Sequence, residues 1–182
     1  VAKYKQEVAG VEVFNREYNM MMDRDFNLVA SSGYFISNNA SKSARSVIKN
    51  VENTFGNSVN SINAVYSAMG GDNEKLSLTS KGSNDKYEKF TVTNTSTDKV
   101  LLGEPRAKKV FFEHKNKLVA AHYVEMEVGE LDSNNSEYYG YVVSVQTGEV
   151  LFKKNLTSHA ADFNYRIYAD YKGKHWDMTL IT

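Results

Sequence analysis

The spacing of apolar side chains changes twice along this chain, and that change constrains the fold more than any single motif. From the start to about residue 36 the period is two. Val11 and Val13, then Tyr18, Met20 and Met22, alternate with polar neighbours as half-buried strands do. The middle turns helical. Ala44, Val47, Ile48, Val51 and Phe55 form one stripe, with Ser41 as its N-cap. Val59, Ile62, Val65, Tyr66 and Met69 form a second, which Gly70-Gly71 stops. From Val110 onward the period is two again. The pattern predicts an α+β protein with Lys42–Phe55 and Val59–Met69 as its principal helices.

Turn chemistry orders the strands. Asp23-Arg24-Asp25-Phe26-Asn27 reads as a hairpin connection into Leu28–Tyr34, and Asn27 is the residue suited to positive φ there. Leu76–Thr79 and Tyr87–Thr93 flank a polar loop, Ser80–Lys86. Pro105, the only proline, follows a second polar stretch and marks a seam between two modules. Beyond it run Val110–Glu113, a turn at Lys115-Asn116-Lys117, and Leu118–Val128. Tyr138–Val145 and Glu149–Lys153 follow, joined by a turn whose Gly148 suits positive φ. Connections this short join antiparallel strands, since a parallel pair needs a long crossover.

Composition removes several classes of function. With 41% hydrophobic and 12% aromatic residues, 182 residues suffice for an ordered core. Twenty-two basic residues balance 22 acidic ones, which gives no footprint for nucleic acid or an anionic membrane. No apolar run approaches the roughly 18 residues of a membrane-spanning helix. Without cysteine there is neither a disulfide nor a thiolate metal site. Val1 opens inside a strand-like stretch, so the chain reads as a trimmed fragment.

The constellations that imitate chemistry fall short of it. Asp23, Asp25 and Asn27 mimic the start of an EF-hand loop, but Leu28 and Tyr34 stand where glycine and glutamate are required. Asp132, Asn134 and Ser136 fail likewise, since Glu137 occupies the glycine position. His114, His122, His159 and His175 form no i, i+4 pair and no His-Glu-x-x-His, and His122 reads as a surface or edge residue. Glu125 and Glu127 share one face of a strand, with no nucleophile or oxyanion donor to join them, and read as solvent-facing. Tyr138 and Tyr139 point to opposite faces, so at least one is expected to be exposed as an interaction residue. No catalytic, metal or cofactor-binding residue is assigned.

Three phrases carry a resemblance. Gly10-Val11-Glu12-Val13-Phe14-Asn15 runs on through Met20 to Gly33; Tyr138-Tyr139-Gly140-Tyr141-Val142-Val143-Ser144-Val145-Gln146-Thr147-Gly148-Glu149-Val150-Leu151 follows later; Phe163-Asn164-Tyr165-Arg166-Ile167-Tyr168-Ala169-Asp170 comes last. Together they resemble the pro-region of fungalysin-family secreted zinc metallopeptidases, in which a fungalysin/thermolysin-propeptide module precedes a PepSY-type module. The chain departs from the family pattern at Arg16 and Gln146, both read as turn positions.

The resemblance implies two cystatin-like modules, antiparallel sheets packed by helices, over residues 1–105 and 106–170, with a connector at 171–182 toward a catalytic domain. It implies a non-enzymatic, secreted intramolecular chaperone and inhibitor whose partner is the cognate zinc metallopeptidase. The alternative is a freestanding exported PepSY-type protease inhibitor or escort. Connectivity points to the C-terminal segment as the part nearest the protease cleft, with Phe163, Tyr165, Tyr168 and Trp176 as contact candidates.

Overall fold

The computed structural model describes residues 1–37, 51–72, 76–84, 86–94, 99–130, 135–157, 170–171 and 174–175. In chain order the strands are β1 (Ala2–Val8), β2 (Val11–Met22) and β3 (Leu28–Gly33), followed by helices α1 (Val51–Phe55) and α2 (Val59–Ala68). Then come β4 (Leu76–Asn84), β5 (Tyr87–Asn94), β6 (Lys99–His114), β7 (Lys117–Glu130), β8 (Ser136–Ser144) and β9 (Val150–Asn155). A two-residue ladder, β10 (Asp170–Tyr171) with β11 (Lys174–His175), lies apart in its own sheet.

The expectation of an α+β protein with two helix-packed sheets is overturned. Among the described residues strand accounts for 66% and helix for 10%. The first nine strands form one mixed sheet, and Pro105 lies buried inside β6. Every sequential pair is antiparallel, as the short turns require. The exception joins strands far apart in sequence: β2 meets β6 in parallel, with Val13 opposite Phe111. Turn length limits only neighbours in sequence, so nothing in the turns forbids this pairing. It is the junction that merges the N-terminal strands with the C-terminal meander.

Several local expectations hold. Helix α2 covers nearly all of the predicted Val59–Met69. Its end is a Schellman closure in which Gly71 N–H donates to Tyr66 O and Gly70 N–H to Ser67 O, both at 2.9 Å. Of Lys42–Phe55, α1 confirms the last five residues, while Ser41 and the stripe as far as Ile48 lie outside the described residues. Ala9-Gly10 and Lys115-Asn116 both take positive φ twice in succession, the conformation of tight hairpin turns whose twist suits the flanking strands. In the β2–β3 turn positive φ falls on Phe26 rather than on Asn27. Asp23 holds Asn27 in place instead: Oδ1 accepts from Asn27 N–H at 2.9 Å and Oδ2 from Asn27 Nδ2 at 3.1 Å.

The core sits on one face of the sheet under the helices. Ile62, Val65 and Tyr66 of α2 pack with Phe90, Ala107, Val124, Met126, Val128, Tyr141 and Val143. Phe55 at the end of α1 packs edge-on to Phe111 at 5.2 Å, within a second cluster that contains Val8, Val11, Val13 and Ile36. The opposite face carries Val110, Ala121, Tyr123 and Val142, flanked by the half-buried rings of Phe14, Phe112 and Phe152.

Candidate functional site

Where the sheet leaves the helices it becomes a three-stranded ribbon. β2 is twelve residues long, and only its first half borders β6. Its second half runs between β1 and β3, with Tyr18 opposite both Tyr4 and Gly33. Gly33 has φ 99°, and a Cβ there would collide with the Glu17 carbonyl, so glycine lets β3 close on β2. Cross-strand partners share a face. Tyr4 with Tyr18, Ala2 with Met20 and Leu28 with Met22 therefore make one side of the ribbon apolar. The other side carries Lys3 opposite Asn19 and Lys5 opposite Glu17.

Exposure singles this ribbon out. Of the nine large apolar side chains exposed among the described residues, eight lie within residues 1–35 and only Leu102 lies elsewhere. Phe26 at 81%, Val1 at 76%, Tyr34 at 63% and Val29 at 62% are the most open. All six residues of β3 are exposed. No charged residue occurs from Phe26 to Ser41, so the strand lacks the lysines that normally blunt a sheet edge. The hairpin can offer apolar side chains and an uncharged backbone edge to a protein surface.

A polar cleft of about 510 Å³ opens beside the α1–α2 link. Gly10 and Glu12 line it, with Asn57 and Ser58 from the α1–α2 link, Lys86 and Glu88 from the β4–β5 side, and Lys108 and Lys109 from β6. Within it Lys108 Nζ donates to Glu12 at 3.0 Å, Lys86 to Glu7 at 2.6 Å, and Ser58 Oγ to Glu88 at 2.6 Å. His122 forms part of its lining. The surface placement expected for His122 is wrong. It is 1% exposed, with Nδ1 2.8 Å from Ser61 Oγ. Burial, aided by the Lys109 ammonium and opposed by Glu88, pushes its pKa down to about 4. The signal was its phase, since residues 122, 124, 126 and 128 are one inward-facing row of β7.

Glu125 is also corrected, from solvent-facing to 7% exposed. Its carboxylate accepts from Arg106 Nε at 2.6 Å, Tyr138 Oη at 2.8 Å and Tyr87 Oη at 3.1 Å. Burial alone would raise this carboxyl, but the Tyr138 and Arg106 bonds outweigh it and hold it below its usual range. Glu127 is half-buried and accepts from Ser136 Oγ at 2.7 Å. Tyr138 and Tyr139 do point to opposite faces. Neither is fully exposed: Tyr138 binds Glu125, and Tyr139 lies 5.9 Å from the Tyr141 ring under the Lys153 ammonium.

The contact candidates Phe163, Tyr165, Tyr168 and Trp176 lie outside the described residues, as does His159. Asp23 and Asp25 form an Asx turn in which Asp23 Oδ1 accepts from Asp25 N–H at 2.9 Å. Among the described residues no cluster of three acidic or histidine side chains is placed to hold a metal ion. No protein-family model, curated protein or solved structure matches the chain.

Proposed function

We propose that this chain is the pro-region of a secreted zinc metallopeptidase, a non-catalytic chaperone and inhibitor that works by binding the folded catalytic domain. The observation that carries the reading is the ribbon. A protein that keeps Phe55, Ile62, Val65 and Tyr66 fully buried leaves eight large apolar side chains open at one end. Concentrated exposure of that kind marks a protein-binding surface. The three phrases that resemble fungalysin-family pro-regions supply the class of partner. Physically, a scaffold that binds the folded enzyme and not its unfolded chain stabilises it by mass action. Tethering raises the effective concentration, so modest affinity is enough for latency.

The test starts from the gene. The reading expects the frame to continue past Thr182 into a His-Glu-x-x-His catalytic domain. A stop codon there would replace it with the freestanding exported escort. Refolding that catalytic domain with and without this chain in trans should give more active enzyme in its presence and inhibition when the chain is in excess. Leu28→Lys and Val29→Lys together should weaken inhibition at least ten-fold, because charge is placed on the docking strand. Full inhibition by that double variant would remove the ribbon from the mechanism.

A further inference from the structure

His122 stands where the helix layer meets the sheet. It lies on β7, beneath both helices, with Ser61 of α2 at 2.8 Å and the Phe55 ring of α1 at 6.3 Å between centroids. Among the described residues no group bonds its Nε2. The same ring lines the polar cleft, which gives water and protons a route to it. We infer that the packing of α1 and α2 on the sheet depends on a neutral His122, so that acid weakens the helix layer selectively by protonating this ring. This inference is independent of the pro-region reading, since it concerns only the chain's own packing.

Charges around the ring decide the sign. From β6, Lys109 is its direct cross-strand partner and opposes an imidazolium. From β5, Glu88 favours one, but its two oxygens already accept from Ser58 and Ser80. From β8 the partner is Val143, and the helices present Phe55 and Ser61, none of them charged. Lys108 and Glu12 line the same cleft and are bonded to each other. An imidazolium carries N–H on both nitrogens, and here only Nδ1 has an acceptor.

The packed form therefore binds the proton more weakly than the open form. With the ordinary histidine value of 6.5 lowered to about 4, the packing is undisturbed above pH 6.5 and weakens as pH falls. The effect saturates below about pH 4, where the opening constant has risen by up to ~300-fold. Four fully buried apolar side chains on the two helices, Phe55, Ile62, Val65 and Tyr66, outweigh that factor. Acid accordingly raises how often the helix layer opens and leaves the chain folded.

Two measurements on the intact chain test this. Amide hydrogen exchange in α2, corrected for intrinsic rates, should lose protection by roughly 50–100-fold between pH 7 and pH 4.5. His122→Gln keeps a hydrogen-bonding group toward Ser61 without a titrating ring, and there the loss should shrink to within about 5-fold. An equal loss in both proteins overturns the inference. The imidazole resonances of His122 in the wild-type chain should titrate below pH 5. A midpoint near 6.5 overturns it too, and that result stands even if the variant fails to fold.

Discussion

The two ends of β2 belong to different kinds of protein surface. At its start, Val11 and Val13 are buried between α1 and the meander, and Val13 pairs with Phe111. Ten residues on, Met21 is half exposed and β3 beside it is exposed throughout. Both stretches carry apolar residues at alternate positions, Val11 and Val13 in one and Tyr18, Met20 and Met22 in the other. They differ in what lies over them. The helices cover the closed half, while the ribbon carries an apolar side without a comparable layer among the described residues. A strand's pattern thus records which side chains share a face, and a second layer decides whether that face becomes core or contact surface.

The sharpest way to break this comparison is to truncate one large apolar side chain in each half. Phe55→Ala should cost about 3–5 kcal/mol, since the ring is fully buried against Phe111. Leu28→Ala, at a residue 57% exposed, should change stability by less than about 0.5 kcal/mol. Chemical denaturation of both variants measures the pair, and equal losses would mean that the ribbon is as much core as the meander.

A smaller effect separates the two faces within the closed half. Gly140 lies under Tyr123, and an added Cβ would stand 2.5 Å from the Tyr123 hydroxyl and 2.9 Å from its ring. Gly140→Ala should destabilise by about 1–3 kcal/mol through overpacking, measured as a lower midpoint in urea.

Glu125→Gln should cost about 1–2 kcal/mol at neutral pH, because two tyrosine hydroxyls and Arg106 lose an anionic acceptor. The sign with pH follows from its lowered pKa. The wild-type contribution is complete above the ordinary value of 4.5 and is lost as pH falls through the lower folded value. Stability curves of the two proteins should converge in strong acid; a constant gap down to pH 2 would show that the carboxylate charge is irrelevant.

The smallest expected effect on stability is the most informative about use. Leu28→Lys with Val29→Lys should leave the urea midpoint unchanged to within about 0.5 kcal/mol while lowering binding of an apolar-surface dye by at least half. Unchanged dye binding would place the sticky surface elsewhere.

Some of this was legible in the residues alone. Backbone chemistry is local, so Gly70-Gly71 closed α2, Lys115-Asn116 made a tight turn, and Asp23 folded its own loop as an Asx turn. The antiparallel order of the meander followed from turn length for the same reason. Burial of the polar residues was not legible. Glu125 and His122 are neighbours on one strand and face opposite ways, and each is buried by partners far off in sequence: Arg106 and Tyr138 for one, Ser61 and Phe55 for the other.

The sequence by itself determined helix α2, the tight turns and which side chains of a strand share a face, because each depends on residues a few positions apart. Tertiary structure decided the class of fold, through the parallel contact of Val13 with Phe111 across nearly a hundred residues. It also decided which apolar face is core and which is left for a partner. That outcome depends on where the helix layer ends, and no local period can encode it.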